Sequence, residues 1–218
     1  MGVEYSNLIE VTGPRPEVLK FRRGGRRKVP PDLAKKFKIE VVELSIEELF
    51  RKHRLPSPSE AGVPWDFGIY FAQVGRTRKI EEFARLDYSL MVKNYQIYEF
   101  LIPLSLVFPA LCFVDSEACE GDEIMSTFVS KGRVSRWTFP EKRRDGFFKR
   151  AGDANGIPDL DEKAYAEGEH DDILSVVENE AEGAMLTVAL RHWDKRVLST
   201  LRKRSLQRGS AHDGSDRR

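Results

Sequence analysis

The stretch from Leu86 to Phe139 constrains the fold most, because it holds most of the uninterrupted apolar sequence of the chain. Apolar residues alternate with polar ones from Leu86 to Lys93, a period that predicts a strand with one buried face. From Ile97 to Phe108 the apolar residues fall mostly at helical spacing and predict a buried helix, which Pro109 ends. The prediction of the following strands starts from this order of one strand and one helix.

Two or three antiparallel strands are predicted after this helix. Leu111 to Val114 and Ile124 to Val129 are apolar runs of strand type, Lys131-Gly132 is a tight turn, and Arg133 to Phe139 closes the meander. Strand–helix–strand–strand is half of a split βαβ arrangement. We therefore predict an α+β fold: a ferredoxin-like antiparallel sheet with helices packed on one face, plus a C-terminal helical extension. We expect five large side chains to be buried together in its core: Leu90, Leu101, Phe108, Phe113 and Phe128.

The remaining sequence divides by composition. An N-terminal strand at 7–11 and a capping box that opens a helix at Ser45 belong with the central stretch. After Phe139 the chain becomes charged, then acidic and turn-rich, and then helical. The predicted organisation is a ferredoxin-like domain at 1–140, a charged acidic linker at 141–172, a helical extension at 173–207 that breaks near Gly183, and a disordered tail at 208–218.

Charge is unevenly distributed although the formal net charge is only +1. Residues 15–38 hold ten Lys and Arg against two acids, whereas residues 151–182 hold eleven acids against one Lys. Residues 191–218 are basic again. The distribution, and not the total, indicates where a charged partner would bind.

The two cysteines, Cys112 and Cys119, are too few for a disulfide framework and favour a reducing compartment. No apolar run reaches the roughly 18–20 residues that a membrane span needs, and the N-terminus has no hydrophobic signal core. These features predict a cytoplasmic protein without a membrane partner. The cysteines and the scattered histidines show no ligand spacing, so we expect neither a metal nor a cofactor.

Several short motifs occur together in the first two thirds of the chain. Residues 7–14 read Asn-Leu-Ile-Glu-Val-Thr-Gly-Pro, and residues 108–113 read Phe-Pro-Ala-Leu-Cys-Phe, followed by Ser116-Glu117 and Glu120-Gly121. In these patches, over roughly residues 5–139, the chain resembles the YubB-type ferredoxin-like family of phage and plasmid proteins. The resemblance implies the fold and a mobile-element origin, and it supplies no catalytic residues. The threonine–tryptophan–proline segment of that family reads Lys93-Asn94-Tyr95 here.

A basic arm is the first candidate site. It is too rich in glycine to stay helical, and it contains Arg22, Arg23, Arg26, Arg27 and Lys28. Its glycines would let the backbone approach a phosphate chain, and each neutralised phosphate releases counterions. The alternative is a solvated loop that pairs with the acidic stretch at 151–172.

The acidic stretch and the C-terminal helix are the other candidates. Residues 153–162 match part of a calcium-binding EF-hand loop, but Ala151 stands where the first ligand should be, so a turn-rich linker is the alternative. A stripe of apolar residues at steps of three and four runs along the C-terminal helix, namely Leu186, Leu190, Trp193, Val197 and Leu201. It would dock on the open face of the sheet or on a partner.

These features favour a binding protein. No nucleophile elbow, phosphate loop or triad order occurs, so we expect no enzyme. The leading hypothesis is a mobile-element binding module that contacts nucleic acid through Arg22 to Lys28. The alternative is a protein-interaction module of the inhibitor or antitoxin type, which would use the stripe from Leu186 to Leu201 to bind a host or phage protein.

Overall fold

The computed structural model describes residues 4–28, 41–56, 69–93, 96–119, 123–158, 160 and 172–212. It is an α+β protein. The strands are β1 (Glu4–Gly13), β2 (Arg27–Lys28), β3 (Val41–Val42), β4 (Ile69–Val74), β5 (Arg78–Ile80), β6 (Phe83–Lys93), β7 (Cys112–Cys119), β8 (Met125–Ser130) and β9 (Arg133–Thr138). The helices are α1 (Arg15–Gly25), α2 (Ile46–His53), α3 (Tyr98–Val107), α4 (Asp145–Ala154), α5 (Asp172–Arg191) and α6 (Asp194–His212).

One antiparallel sheet organises the chain. Its strand order is β4-β6-β1-β7-β8-β9, and β5 pairs with β6. Strand β1 lies between β6 and β7 and is antiparallel to both, so the unit β6–α3–β7 is split by the strand that began the chain. The order β4-β6-β1-β7 is that of a ferredoxin-like sheet, which β8 and β9 extend. This confirms the predicted fold class.

The two faces of the sheet are covered by different helices. On the first face, α1, α2 and α3 pack over side chains such as Ile9 and Val11 of β1. On the second face, helices α4, α5 and α6 cover the opposite side of the same strand, to which Leu8 belongs. Because side chains of a strand alternate between faces, β1 contributes to both layers and is buried on both sides.

The first face has an aromatic centre. Phe21 of α1 meets Phe108 and Phe113 at ring-centroid distances of 5.4 Å each, in edge-to-face geometry. Leu101 is buried in the same layer, as predicted. The predicted core is wrong in one member, because Phe128 is buried on the second face. The side chain of Leu90 lies outside the described part of the chain.

The C-terminal extension is a cover for the sheet. All five residues of the predicted stripe, Leu186, Leu190, Trp193, Val197 and Leu201, are buried. They pack against the second face together with residues such as Val114 and Phe128. The break between helices falls at His192–Trp193 and not near Gly183, since α5 continues to Arg191. Helix α6 continues to His212, so the tail predicted to be disordered from 208 is helical in its first residues; residues 213–218 lie outside the described part.

The prediction of a linker at 141–172 is also wrong for the first part of that range. Residues Asp145–Ala154 form α4, whose Phe148 and Ala151 are buried against the second face and α5. Leu160 is buried in the same cluster. The hydrophobic side chains of this short helix, which share one face, outweigh the charged residues around them. Residues 161–171 lie outside the described part.

Candidate functional site

The predicted basic arm is not a loop. Helix α1 continues to Gly25, so Arg22 and Arg23 lie in its last turn, whereas Arg27 and Lys28 form the short strand β2. The glycines have a packing role that the sequence reading missed. A Cβ atom on Gly24 would lie 3.0 Å from Cδ2 of Leu49, and one on Gly25 would lie 3.0 Å from Cδ1 of Leu44. These glycines therefore allow α1 to approach α2 closely.

The close packing of α1 on α2 adds cations to the arm. Lys52 Nζ donates a hydrogen bond of 2.9 Å to the carbonyl oxygen of Gly24, and Arg51 lies next to it on α2. Residues 15–28 and 41–56 together hold ten Lys and Arg against four Glu. We call this region, α1–β2–β3–α2, the α1–α2 surface. It includes all five predicted residues of the basic arm.

Exposed cations outnumber exposed acids on the α1–α2 surface. All four glutamates are half-buried, whereas nine of the ten cations, all except Arg22, are exposed. Glu43 accepts ion pairs from Arg22 at 3.6 Å and from Arg26 at 3.1 Å, and Glu47 accepts one from Arg27 at 3.0 Å. Glu43 therefore lies deeper than Arg22 and Arg26, whereas the Glu47 side chain, at 44% exposure, is as open to solvent as that of Arg27 at 41%.

Five exposed cations of this surface make no ion pair within the described part of the chain, namely Arg15, Lys20, Arg23, Lys28 and Arg54. The alternative predicted for the arm was pairing with the stretch at 151–172. Most of that stretch lies outside the described residues, so this alternative stays a prediction; the ion pairs described for the arm involve Glu43 and Glu47, which come from its own neighbourhood. An anion approaching this surface would meet guanidinium and ammonium groups first.

A buried ionic network lies on the second face of the sheet. Glu10 of β1 contacts Arg85 Nε at 3.0 Å and Arg191 Nη1 at 2.6 Å, and Thr12 donates a hydrogen bond to it. Arg85 also contacts Asp194 at 2.7 Å. Burial raises the pKa of Glu10 to about 7, although both arginines lower it. The network joins the central strands to the junction of α5 and α6.

Two further acids are buried on the first face, where β7 passes below the start of α3. Asp115 is only 1% exposed and Glu117 only 2% exposed. None of their four carboxylate oxygens has a hydrogen-bond partner of proper geometry. Sequence reasoning missed both, because acids at alternate positions of a strand are typical of a solvated face.

Burial dominates the electrostatics of these two carboxyls. It raises the pKa of Glu117 to about 7, with Arg136 opposing. It raises the pKa of Asp115 well above its usual range, and the charge of Glu117 adds to this, whereas the backbone N–H of Tyr98 lowers it. The two carboxyls therefore influence each other.

The remaining candidates from the sequence are the two cysteines, a metal site and the partial calcium-binding loop. Cys112 is a buried free thiol whose pKa is raised by burial; the side chain of Cys119 lies outside the described part. Within the described ranges, no three His, Cys, Asp or Glu side chains gather as metal ligands. In the calcium-loop match, Asp153 lies in α4 and the Asn155 amide donates to Ala151 O and Glu180, so its described part is a helix end; Asp159 and Glu162 lie outside the described part.

The stripe proposed as a partner surface is not exposed. The side chains from Leu186 to Leu201 fill the chain's own core, so the interpretation as a protein-interaction surface is corrected in favour of docking on the sheet. Among the described helices, none is both long and apolar enough to cross a bilayer.

Comparison with protein-family models, with curated proteins and with solved structures found no match for this chain. The resemblance to the YubB-type family therefore stays a prediction.

Proposed function

We propose that this protein is a non-enzymatic binding protein that contacts the phosphate backbone of a nucleic acid through the α1–α2 surface. The observation that supports the proposal most is the excess of exposed cations on this surface. Nine cations are exposed and four glutamates are half-buried, so the surface is positive although the whole chain is nearly neutral.

The contacts of the cations favour phosphate over base edges. Glu43 and Glu47 contact the guanidinium groups of Arg26 and Arg27 at 3.1 and 3.0 Å, and guanidinium groups fixed in this way lose less side-chain entropy when they bind. A cationic surface of this kind neutralises phosphates and releases counterions without reading sequence. We therefore expect binding that depends strongly on salt and weakly on base sequence.

Fluorescence anisotropy with a labelled 20-nucleotide DNA and RNA, single- and double-stranded, tests the proposal. The informative variant carries Lys20→Glu, Arg23→Glu and Lys28→Glu, because these three residues make no ion pair with any residue that the structure describes. The matched control carries Lys131→Glu, Arg133→Glu and Lys142→Glu. These residues are exposed and lie at or near either end of β9, the last strand in the order of the sheet. The three substitutions change the charge by the same amount.

We expect wild type and control to bind at 50 mM salt, and the first variant to bind at least about tenfold more weakly, since each phosphate contact contributes about one to the slope of log K against log salt. The slope should fall by up to about three in that variant. No binding by wild type at low salt, or equal losses in the two variants, would overturn the proposal.

A further inference from the structure

Four oxygen-bearing side chains are brought to one place on the first face of the sheet. Asp115 and Glu117 are two residues apart on β7 and so project from the same face, with Cα atoms about 6.6 Å apart. The neighbouring strands place Thr127 opposite Asp115 and Asn7 opposite Glu117. Residues directly opposite each other on adjacent strands have Cβ atoms about 5 Å apart. We call these four residues the β7 oxygen cluster.

The two acids of this cluster are buried with little compensation. Both are at most 2% exposed, and none of their oxygens accepts a hydrogen bond of proper geometry, although the backbone N–H of Tyr98 lowers the pKa of Asp115. Arg136 is the cation that influences Glu117, but its guanidinium lies over the ring of Tyr98, at 4.1 Å from the centroid, and makes no ion pair with Glu117 among the described contacts. An ionised carboxylate buried in this way is costly unless a positive charge balances it.

We infer that Asp115 and Glu117 bind one hard divalent cation, with the Asn7 amide oxygen and the Thr127 hydroxyl as supporting donors. Carboxylate, amide and hydroxyl oxygens are the ligands that Mg²⁺, Ca²⁺ and Mn²⁺ prefer. One dication neutralises both carboxylates. The low exposure of the acids fits a single small ion better than an organic ammonium or guanidinium ligand, which would need an open cavity.

Thermal unfolding of protein dialysed against EDTA, without nucleic acid, tests this inference separately from the proposed function. MgCl2, CaCl2 or MnCl2 is titrated at constant ionic strength, with NaCl as the reference. We expect at least one of the three cations to raise Tm saturably, by about 5–10 °C at a hundredfold excess over Kd. We expect the rise to disappear in Asp115→Asn and in Glu117→Gln.

Glu10→Gln is the matched control, because Glu10 is equally buried in the same sheet but is already contacted by Arg85 and Arg191. It should retain the cation-dependent rise in Tm. Electron paramagnetic resonance of Mn²⁺ added to wild type gives a second measurement that needs no variant to fold, and we expect one bound ion per chain. The absence of bound Mn²⁺ together with a Tm that no cation raises, or a rise that persists in the Asp115 and Glu117 variants, would overturn the inference.

Discussion

Replacing Arg85 with Met should lower the free energy of unfolding by about 3–4 kcal/mol at pH 8. The Arg85 side chain is only 6% exposed and joins Glu10 to Asp194 at distances of 3.0 and 2.7 Å. Removing one partner of a buried ion pair costs roughly 3–5 kcal/mol, because the other charge stays buried. Arg191 still contacts Glu10 at 2.6 Å in the variant, which places the expected cost at the lower end.

The same cost should become smaller at low pH. Burial raises the pKa of Glu10 to about 7, above its ordinary value, so the folded state holds its proton more strongly than the unfolded state does. The stabilisation that this proton gives is fully present below the unfolded pKa and is lost as the pH rises through the folded pKa. At pH 5.5 Glu10 is largely protonated in both proteins, and the cost of Arg85→Met should fall to about 1–2 kcal/mol.

Urea unfolding followed by circular dichroism at pH 5.5 and pH 8 measures both costs. Arg78→Met is the matched control, because Arg78 also pairs with an acid of the sheet, Asp87, but its side chain is 53% exposed. The control should lose less than about 1 kcal/mol at either pH. If the two variants lose equal stability, or if the loss in Arg85→Met does not depend on pH, the buried network does not join the central strands to the junction of α5 and α6 as described.

Three further predictions concern packing and can be checked by the same unfolding measurement. Phe113→Ala should cost about 3–5 kcal/mol, since Phe113 is fully buried; a cost below 1 kcal/mol would place it on the wrong face. Trp193→Ala should cost a similar amount, because Trp193 packs on the sheet and donates a 3.1 Å hydrogen bond to Ser126; an unchanged Tm would mean that α6 is not docked. Gly183→Ala, with open space around it, should stabilise by about 0.5–1 kcal/mol, whereas Gly152→Ala should destabilise, because its Cβ would lie 2.7 Å from the carbonyl oxygen of Ile157.

Local patterns in the sequence predicted much of the central fold. The N-cap at Ser45 is confirmed, since its hydroxyl accepts a hydrogen bond from the Glu48 backbone N–H, whereas the Ser45 backbone N–H donates to Gly25 O and not to the Glu48 side chain. The turn at Lys131-Gly132 is confirmed by positive φ angles of 50° and 73°. Caps and tight turns depend only on residues close in sequence, so they can be predicted without knowing how the rest of the chain folds.

The glycines and the linker show where such patterns are ambiguous. Gly24 and Gly25 predict a loop, but glycine also permits close helix packing, and only the positions of Leu44 and Leu49 decide between the two. In the predicted linker, the spacing from Phe148 to Ala151 was a helical signal that the surrounding charges concealed. Composition alone does not separate these cases.

The buried acids could not be predicted because their environment is made by distant segments. Glu10 and Arg191 are separated by 181 positions in the sequence. An acid in a strand is read as solvated when one face of the sheet is taken to be open. In this protein both faces are covered, by α1–α3 and by α4–α6, so even the polar positions of the central strands lie inside.

The contrast between the two buried acidic sites is the strongest physical argument for a ligand at one of them. Glu10 on the second face has guanidinium nitrogens at 3.0 and 2.6 Å, so the protein itself supplies the balancing charge. Asp115 and Glu117 lie equally deep in the same sheet and have no such partner among the described contacts. An apolar residue at either position would pack on this face without the cost of a buried carboxylate. That cost is removed when the carboxyls are protonated or offset when something positive joins them, and a divalent cation balances both charges at once.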